Sequence, residues 1–202
     1  MRGDARFSPD RRYRYMLSRE WPEGGPRGAC LFIGLNPSTA DEVKNDPTIT
    51  RCINFAREWG YSSMLFGNLF GIRSTDPKVL YDPLEDSNGP ENNEWLLRMV
   101  RQADRVVLCW GNHGACKNRG EVVVTMLSFP ADERCRKILC CFGLNQNGQP
   151  KHPLYLPRTA GLMIFRNPLV PKDWVEKAKA ELTTEEFKRQ YIGDFKRRLA
   201  ND

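Results

Sequence analysis

The sequence predicts an α/β fold: a three-layer α/β/α sandwich around a central, mostly parallel four-stranded sheet. Three observations predict it. Four short apolar runs, residues 30–34, 64–70, 105–110 and 137–142, are continuous rather than alternating. Strands buried on both faces read that way. Helical patterns lie between them, and loops rich in Pro, Gly, Asn and Asp punctuate the rest. Strand alternating with helix is the pattern of a parallel sheet.

The elements follow in chain order. The segment RRYRYML alternates Tyr, Met and Leu with Arg, so it is expected to add an edge strand. The first apolar run, 30–34, precedes a helix over 47–59, with Pro near its start and Gly60 at its end. The second run, 64–70, leads into a loop over 75–91. A helix over 92–102 carries Trp95, Leu96, Met99 and Val100 at helical spacing, and the third run follows it. A helix over 119–129 and the fourth run come next, then a Pro- and Gly-rich loop over 145–159. Near the end, Thr183 and Glu186 fit a capping box that opens a basic helix over 184–199. The expected division is an α/β domain over 1–168 and a helical extension over 169–202.

Composition bounds the function. The chain has 202 residues, is 40 % hydrophobic and 28 % charged, and carries a formal charge of +6. That suits one core with an appendage. Its mean hydropathy of −0.58 and lack of a long apolar run exclude a membrane span, and its N-terminus carries no signal peptide pattern. The seven Cys form no C-x-x-C pair, and only two His are present, so buried reduced thiols in a cytoplasmic protein are expected and no metal or other cofactor is. Basic residues crowd both ends: Arg2, Arg6, Arg11, Arg12, Arg14 and Arg19 at one, Lys188, Arg189, Lys196, Arg197 and Arg198 at the other. Each cluster reads either as a solvated face or as phosphate contact along a nucleic acid.

In open α/β sheets, ligands bind beyond the carboxyl ends of the strands. The unusual residues fall there. The first run ends in Gly34-Leu35-Asn36-Pro37-Ser38-Thr39, the second in Asn68-Leu69-Phe70-Gly71-Ile72-Arg73, and the third in Trp110-Gly111-Asn112-His113-Gly114. After the fourth come Lys151-His152-Pro153-Leu154-Tyr155. No dinucleotide fingerprint, P-loop or nucleophile elbow is present.

These motifs resemble the uracil-DNA glycosylase superfamily. Gly34-Leu35-Asn36-Pro37 is similar to the G-Q-D-P-Y-H motif of the uracil-specific branch and the G-I-N-P-G motif of the mismatch-specific branch. Asn68, ahead of Arg73, is similar to the base-reading Asn of L-L-N-T-V-L-T-V-R. Val106–His113 resembles V-F-L-L-W-G-N-Y, and His152-Pro153 with Leu156 resembles H-P-S-P-L. All four occur in the same order. Residues 7–165 also resemble a prokaryotic and phage family built around G-L-N-P-S-T-A-D, N-L-F and H-P-L-Y.

The resemblance implies hydrolysis of an N-glycosidic bond in DNA, without metal or other cofactor, by a monofunctional glycosylase acting as a monomer on double-stranded DNA with modified bases. It implies that His152 supports the departing base and that Asn68 reads a pyrimidine edge. Asn36 stands where the uracil-specific branch has a water-activating Asp. An amide takes no proton, so Asp41 and Asp46 are the candidate bases, with a turn or helix cap as the alternative. Phe55 and Phe70 are candidates to stack on the base, with core packing the alternative. Arg73, His113 and Lys151 are candidate DNA contacts. Leu154, Tyr155 and Leu156 are candidate wedges into the space left by a flipped base.

Ser38 stands where the uracil-specific branch has a Tyr that blocks bases substituted at carbon 5. The expectation is a pocket open on that side, a substrate such as glucosylated hydroxymethylcytosine in phage DNA, and a role in defence. The competing readings are uracil or thymine mismatch repair, an enzyme on free modified nucleosides, a non-catalytic reader of modified DNA, and a plain interaction domain.

Overall fold

A computed structural model describes residues 1–128 and 137–165. The expected basic helix and the 169–202 extension, with Lys188 to Arg198, lie outside these residues. The described chain is α/β, with a mixed seven-stranded sheet and three α-helices. The strands are β1 (Arg2–Phe7), β2 (Arg14–Glu20), β3 (Arg27–Gly34), β4 (Tyr61–Asn68), β5 (Ala103–Leu108), β6 (Leu139–Cys141) and β7 (Met163–Ile164). The helices are α1 (Pro47–Glu58), α2 (Asn92–Gln102) and α3 (Arg119–Ser128).

The sheet order is β1-β2-β4-β3-β5-β6-β7. The four apolar runs do pair in parallel, as β4-β3-β5-β6. The expectation of a four-stranded sheet is nevertheless corrected, because antiparallel strands extend both sides. On one side β2 pairs with β4 and β1 with β2; on the other β7 pairs with β6. The RRYRYML segment is therefore an inner strand, and β1 takes the edge. The short β1 and β7 segments carry too little apolar pattern to stand out in the sequence.

Continuous apolar runs are two interleaved faces. In β3, Cys30 and Phe32 pack with Ile49, Cys52, Phe55 and Ala56 of α1. The alternate Leu31 and Ile33 pack on the opposite face with Leu96, Met99 and Val100 of α2 and Val123 and Leu127 of α3. In β5, Val107 faces α1 while Val106 and Leu108 face α2 and α3. Period-two alternation thus feeds two cores. The six described cysteines, Cys30, Cys52, Cys109, Cys116, Cys140 and Cys141, are free and buried within these layers, and burial pushes their thiols up where a shift is resolved.

Local chemistry sets the helix starts. Asp46 caps α1, its side chain accepting from Ile49 N–H at 2.8 Å, and Pro47 occupies the first turn. The helix ends at Gly60, which takes φ +74°. Asn92, fully buried at the start of α2, donates from Nδ2 to the carbonyls of Asn68 and Leu69 at 3.1 and 3.0 Å. This bond pair fixes the carboxyl end of β4. No helix among the described residues is long and apolar enough to cross a membrane.

Candidate functional site

A cavity of about 580 Å³ opens at the carboxyl ends of the parallel strands. Gly34, Leu35, Asn36 and Ser38 reach it from β3, Phe66 and Asn68 from β4, and Trp110 to His113 from β5. Asp46, Thr48 and Ile49 enter from the start of α1. Asn145, Lys151, His152, Tyr155 and Leu156 come from the segment after β6. Sequence order scatters these residues, and the sheet converges them.

Asn68 is the most informative of them. Only 1 % of its surface is exposed, and both Nδ2 and Oδ1 lack a hydrogen-bond partner among the described residues. A buried unsatisfied polar group costs about 1–3 kcal/mol. The residue borders the cavity, and its donor end and its acceptor end are both unpartnered.

Asn36 is arranged differently. Its Nδ2 donates to the carbonyl of Ser74 at 2.8 Å and to that of Pro37 at 3.2 Å. Two carbonyl partners assign that atom as nitrogen. Both N–H donors are engaged by backbone, so the group left for a ligand is the Oδ1 acceptor.

His152 opens the 3-10 turn Pro153–Tyr155, where its Nδ1 accepts from Leu154 N–H at 3.3 Å. That bond favours the neutral tautomer with its proton on Nε2. Burial lowers the imidazole's pKa, while the charge of Asp46 works in the opposite direction. Backbone geometry brings the loop here: Gly111 takes φ +75° and donates from its N–H to the carbonyl of Pro150 at 2.9 Å. The Trp110 indole N–H adds a bond to Gln149 Oε1 at 2.8 Å.

Of the two candidate carboxylates, Asp46 borders the cavity. Asp41 closes a turn instead, accepting from Val43 and Lys44 N–H at 2.9 and 2.7 Å. The Lys44 and Val43 bonds are the largest causes of its lowered pKa, with the charges of Arg11 and Arg19 adding to them. Of the two readings open for Phe55 and Phe70, base stacking or core packing, the structure has core packing. Phe55 lies in the α1-side core against Trp59 and Phe142, and Phe70 lies in the opposite core at 2 % exposure. Phe66 and Trp110 are the aromatics that border the cavity. Phe66 was legible only as one more apolar residue of a buried strand.

The candidate DNA contacts divide. His113 borders the cavity, with Nδ1 2.8 Å from the Tyr81 hydroxyl, and Lys151, Tyr155 and Leu156 border it too. Tyr155 is 85 % exposed and Leu154 lies beside it on the surface. The Leu156 carbonyl is held by Arg51 Nη2. Arg73 lies in an adjoining, more open cavity of about 550 Å³, with Arg11, Arg12 and Thr39. Ser38, Ser74 and Thr75 border both cavities.

The N-terminal basic cluster does not act as one exposed face. Arg14 and Arg19 are buried at 2 % and 1 % exposure. Arg19 donates to Asn45 Oδ1 and to the carbonyls of Ser18, Asp41 and Lys44, so it ties down the loop between Asn36 and Asp46. Arg11 and Arg12 pair with Glu42 and Glu85. Lys117 clamps the carbonyls of Asp82 and Glu85. Among the described residues no group of three or more His, Cys, Asp or Glu converges as a metal site would require.

A family model described as "Protein of unknown function (DUF1643)" matches residues 14–154. No curated protein and no solved structure matches the chain.

Proposed function

Starting from a chain that belongs to the DUF1643 family, we propose that the protein is a DNA glycosylase that flips out and excises a pyrimidine substituted at carbon 5. The observation that carries this reading is the Asn68 amide, buried in the cavity with both its polar atoms unpartnered. A pyrimidine edge offers an adjacent donor and acceptor, which would satisfy both. The cavity lies within the roughly 300–1,000 Å³ usual for small-ligand sites. The parallel β4-β3-β5-β6 unit with helices on both faces supports placing the fold with the uracil-DNA glycosylase superfamily.

The reaction follows from the side chains. The bond between the sugar C1′ and the base nitrogen breaks, and its electron pair leaves with the base. His152, neutral and carrying its proton on Nε2, donates a hydrogen bond to a carbonyl oxygen of that base. Water adds to C1′, oriented by Asn36 Oδ1, and its proton passes to the Asp46 carboxylate. One oxygen of Asp46 caps α1; the other serves as base. Phe66 and Trp110 give the base apolar walls. Tyr155, exposed at the rim, enters the stack in place of the flipped nucleotide.

Ser38 bears on specificity. It borders both cavities, so a substituent at carbon 5 has room to continue past it. This supports a bulky group such as the glucosyl-hydroxymethyl of modified phage cytosine, and a defence role against genomes that carry it. A second reading, a non-catalytic reader of modified DNA, is favoured by one observation: position 36 is an amide whose donors are tied to backbone.

The test is incubation with phage DNA carrying unmodified, hydroxymethylated or glucosyl-hydroxymethylated cytosine, and with a uracil duplex. Free base and alkali-labile sites are measured. The expected result is release from a modified DNA alone, lost in Asn36→Ala and His152→Ala. Release from uracil DNA alone keeps the glycosylase and removes the argument from Ser38. Tight binding without release selects the reader.

A further inference from the structure

Three arginines are buried among the described residues, and one of them has a buried nitrogen without a partner. Arg19 donates from Nε, Nη1 and Nη2 to four oxygens. Arg119 donates from Nε to the carbonyl of Leu69 at 2.8 Å and from Nη2 to Asn93 Oδ1. Arg14, at 2 % exposure, donates from Nη1 to the carbonyl of Ala40 at 2.7 Å, and its buried Nε has no partner among the described residues. A guanidinium has five N–H donors and no easy route to neutrality. Burying it without a full set of acceptors is costly.

Arg14 also lines the cavity. The ionisable groups that share it are Asp46, Lys151, His113, His152 and Tyr155. Asp46 acts on Arg14 through its charge but forms no ion pair with it among the described residues, and the charges of Arg73, Arg19 and Asp41 act on it more weakly. Desolvation dominates, bringing the Arg14 pKa down to about 10, so the group stays a cation at neutral pH. Arg14 and Lys151 set two basic side chains against the single carboxyl of Asp46 in the cavity.

We propose that Arg14 is a catalytic residue, its guanidinium taking up the negative charge left on the pyrimidine as the glycosidic bond breaks. The proposal rests on the glycosylase reading. The electron pair of the broken bond stays on the base, and Arg14 stabilises it through a charge-assisted hydrogen bond without giving up a proton. His152 supplies a neutral donor and Arg14 the compensating charge.

The cavity must then prefer an anionic pyrimidine to a neutral one. The probe is 5-nitrouracil, an acidic pyrimidine that ionises below neutral pH and changes its absorption when it does. Full-length protein is titrated with it across pH, and the spectrum reads the ligand's own ionisation. A charge-assisted bond predicts that the anion binds about ten- to a hundredfold tighter than the neutral form, which lowers the ligand's apparent pKa by about one to two units. Arg14→Gln is expected to lose this shift, Arg14→Lys to keep part of it, and Lys151→Met to keep most of it. Equal affinity for both forms, or no binding, overturns the proposal. So does a full shift in folded Arg14→Gln. If that variant does not fold, a full shift in Arg14→Lys does the same, because a point charge lacks the fork. Base release from DNA with no preference for the anion removes Arg14 from the chemistry and leaves the glycosylase reading standing; absence of base release removes that reading itself.

Discussion

Gly34 and Asn68 are direct partners in the parallel register of β3 and β4, and a side chain at Gly34 would collide with the cavity wall. A β-carbon built there lies 3.0 Å from Asn68 Oδ1 and 2.9 Å from the Phe66 ring. Both neighbours are side chains of the candidate base pocket, and Asn68 is packed too tightly to move aside without loss. Gly34→Ala is therefore expected to displace the amide and the ring together. Overpacking costs about 1–3 kcal/mol, within what a folded domain tolerates. Base release should fall about tenfold or more, since misplacement by an ångström can cost a hundredfold. Thermal unfolding and product assays on the same preparation separate the two effects. Full activity at normal stability would remove Asn68 from the base pocket.

The Asn68 amide itself makes the opposite prediction for stability. In the free protein its two polar atoms are buried without partners. Asn68→Leu has similar size and removes both unsatisfied groups. Replacing such groups by apolar ones of like shape is neutral or stabilising. The variant should unfold at the same temperature or higher, by about 1 kcal/mol, while losing recognition of the base. A strongly destabilised Asn68→Leu would mean that the amide has a structural partner and is not held open for a ligand.

His152 gives the pH dependence. Its folded-state pKa is lowered, chiefly by burial, with Asp46 opposing. The unfolded chain takes up the proton first, near the ordinary value of about 6.5. Between that pH and the lower folded value the unfolded state holds more protons, so stability falls as pH falls through this window. Above it the neutral imidazole contributes in full. With two histidines in the chain, proton NMR resolves the titration, and His152→Asn assigns it. The acid-side loss of stability should shrink in the variant. The activity that needs a neutral donor should persist below pH 6.5. A His152 that titrates above its ordinary value would reverse the sign and assign the imidazolium to Asp46.

Much of this arrangement is legible in the sequence, for physical reasons. Asn36, Asn68, His113 and His152 each follow a buried apolar run, and a parallel sheet carries the ends of such runs to one edge. Arg14 was legible only as one member of a basic cluster. Its burial depends on β2 pairing inside the sheet, a long-range event that local charge does not encode. Phe55 and Phe66 exchange roles for a related reason. Both sit in apolar patterns, and only the packing of Phe55 against Trp59 and Phe142 commits it to the core. Asp41 and Asp46 look alike as acidic residues in one loop. What separates them is that Asp46 starts a helix whose first turn faces the cavity, while Asp41 folds back on Val43 and Lys44.

Ser38 offers the sharpest test of substrate choice. It borders both the main cavity and the adjoining one, which Arg11, Arg12, Thr39, Arg73, Ser74 and Thr75 also line. Arg11 and Arg12 are balanced by Glu42 and Glu85, so this space offers fixed donors and acceptors more than net charge. A large ring at position 38 would wall the two cavities apart. Ser38→Tyr should therefore reduce release of a bulky carbon-5-substituted base by about a hundredfold, as a buried steric clash of a few kcal/mol does. Release of plain uracil should hold or rise, because the smaller base needs no opening and gains an aromatic wall. The readout is the ratio of the two rates, which a general loss of folding leaves unchanged. A parallel fall for both bases would show that Ser38 supports the loop around Asn36 and that selectivity resides elsewhere.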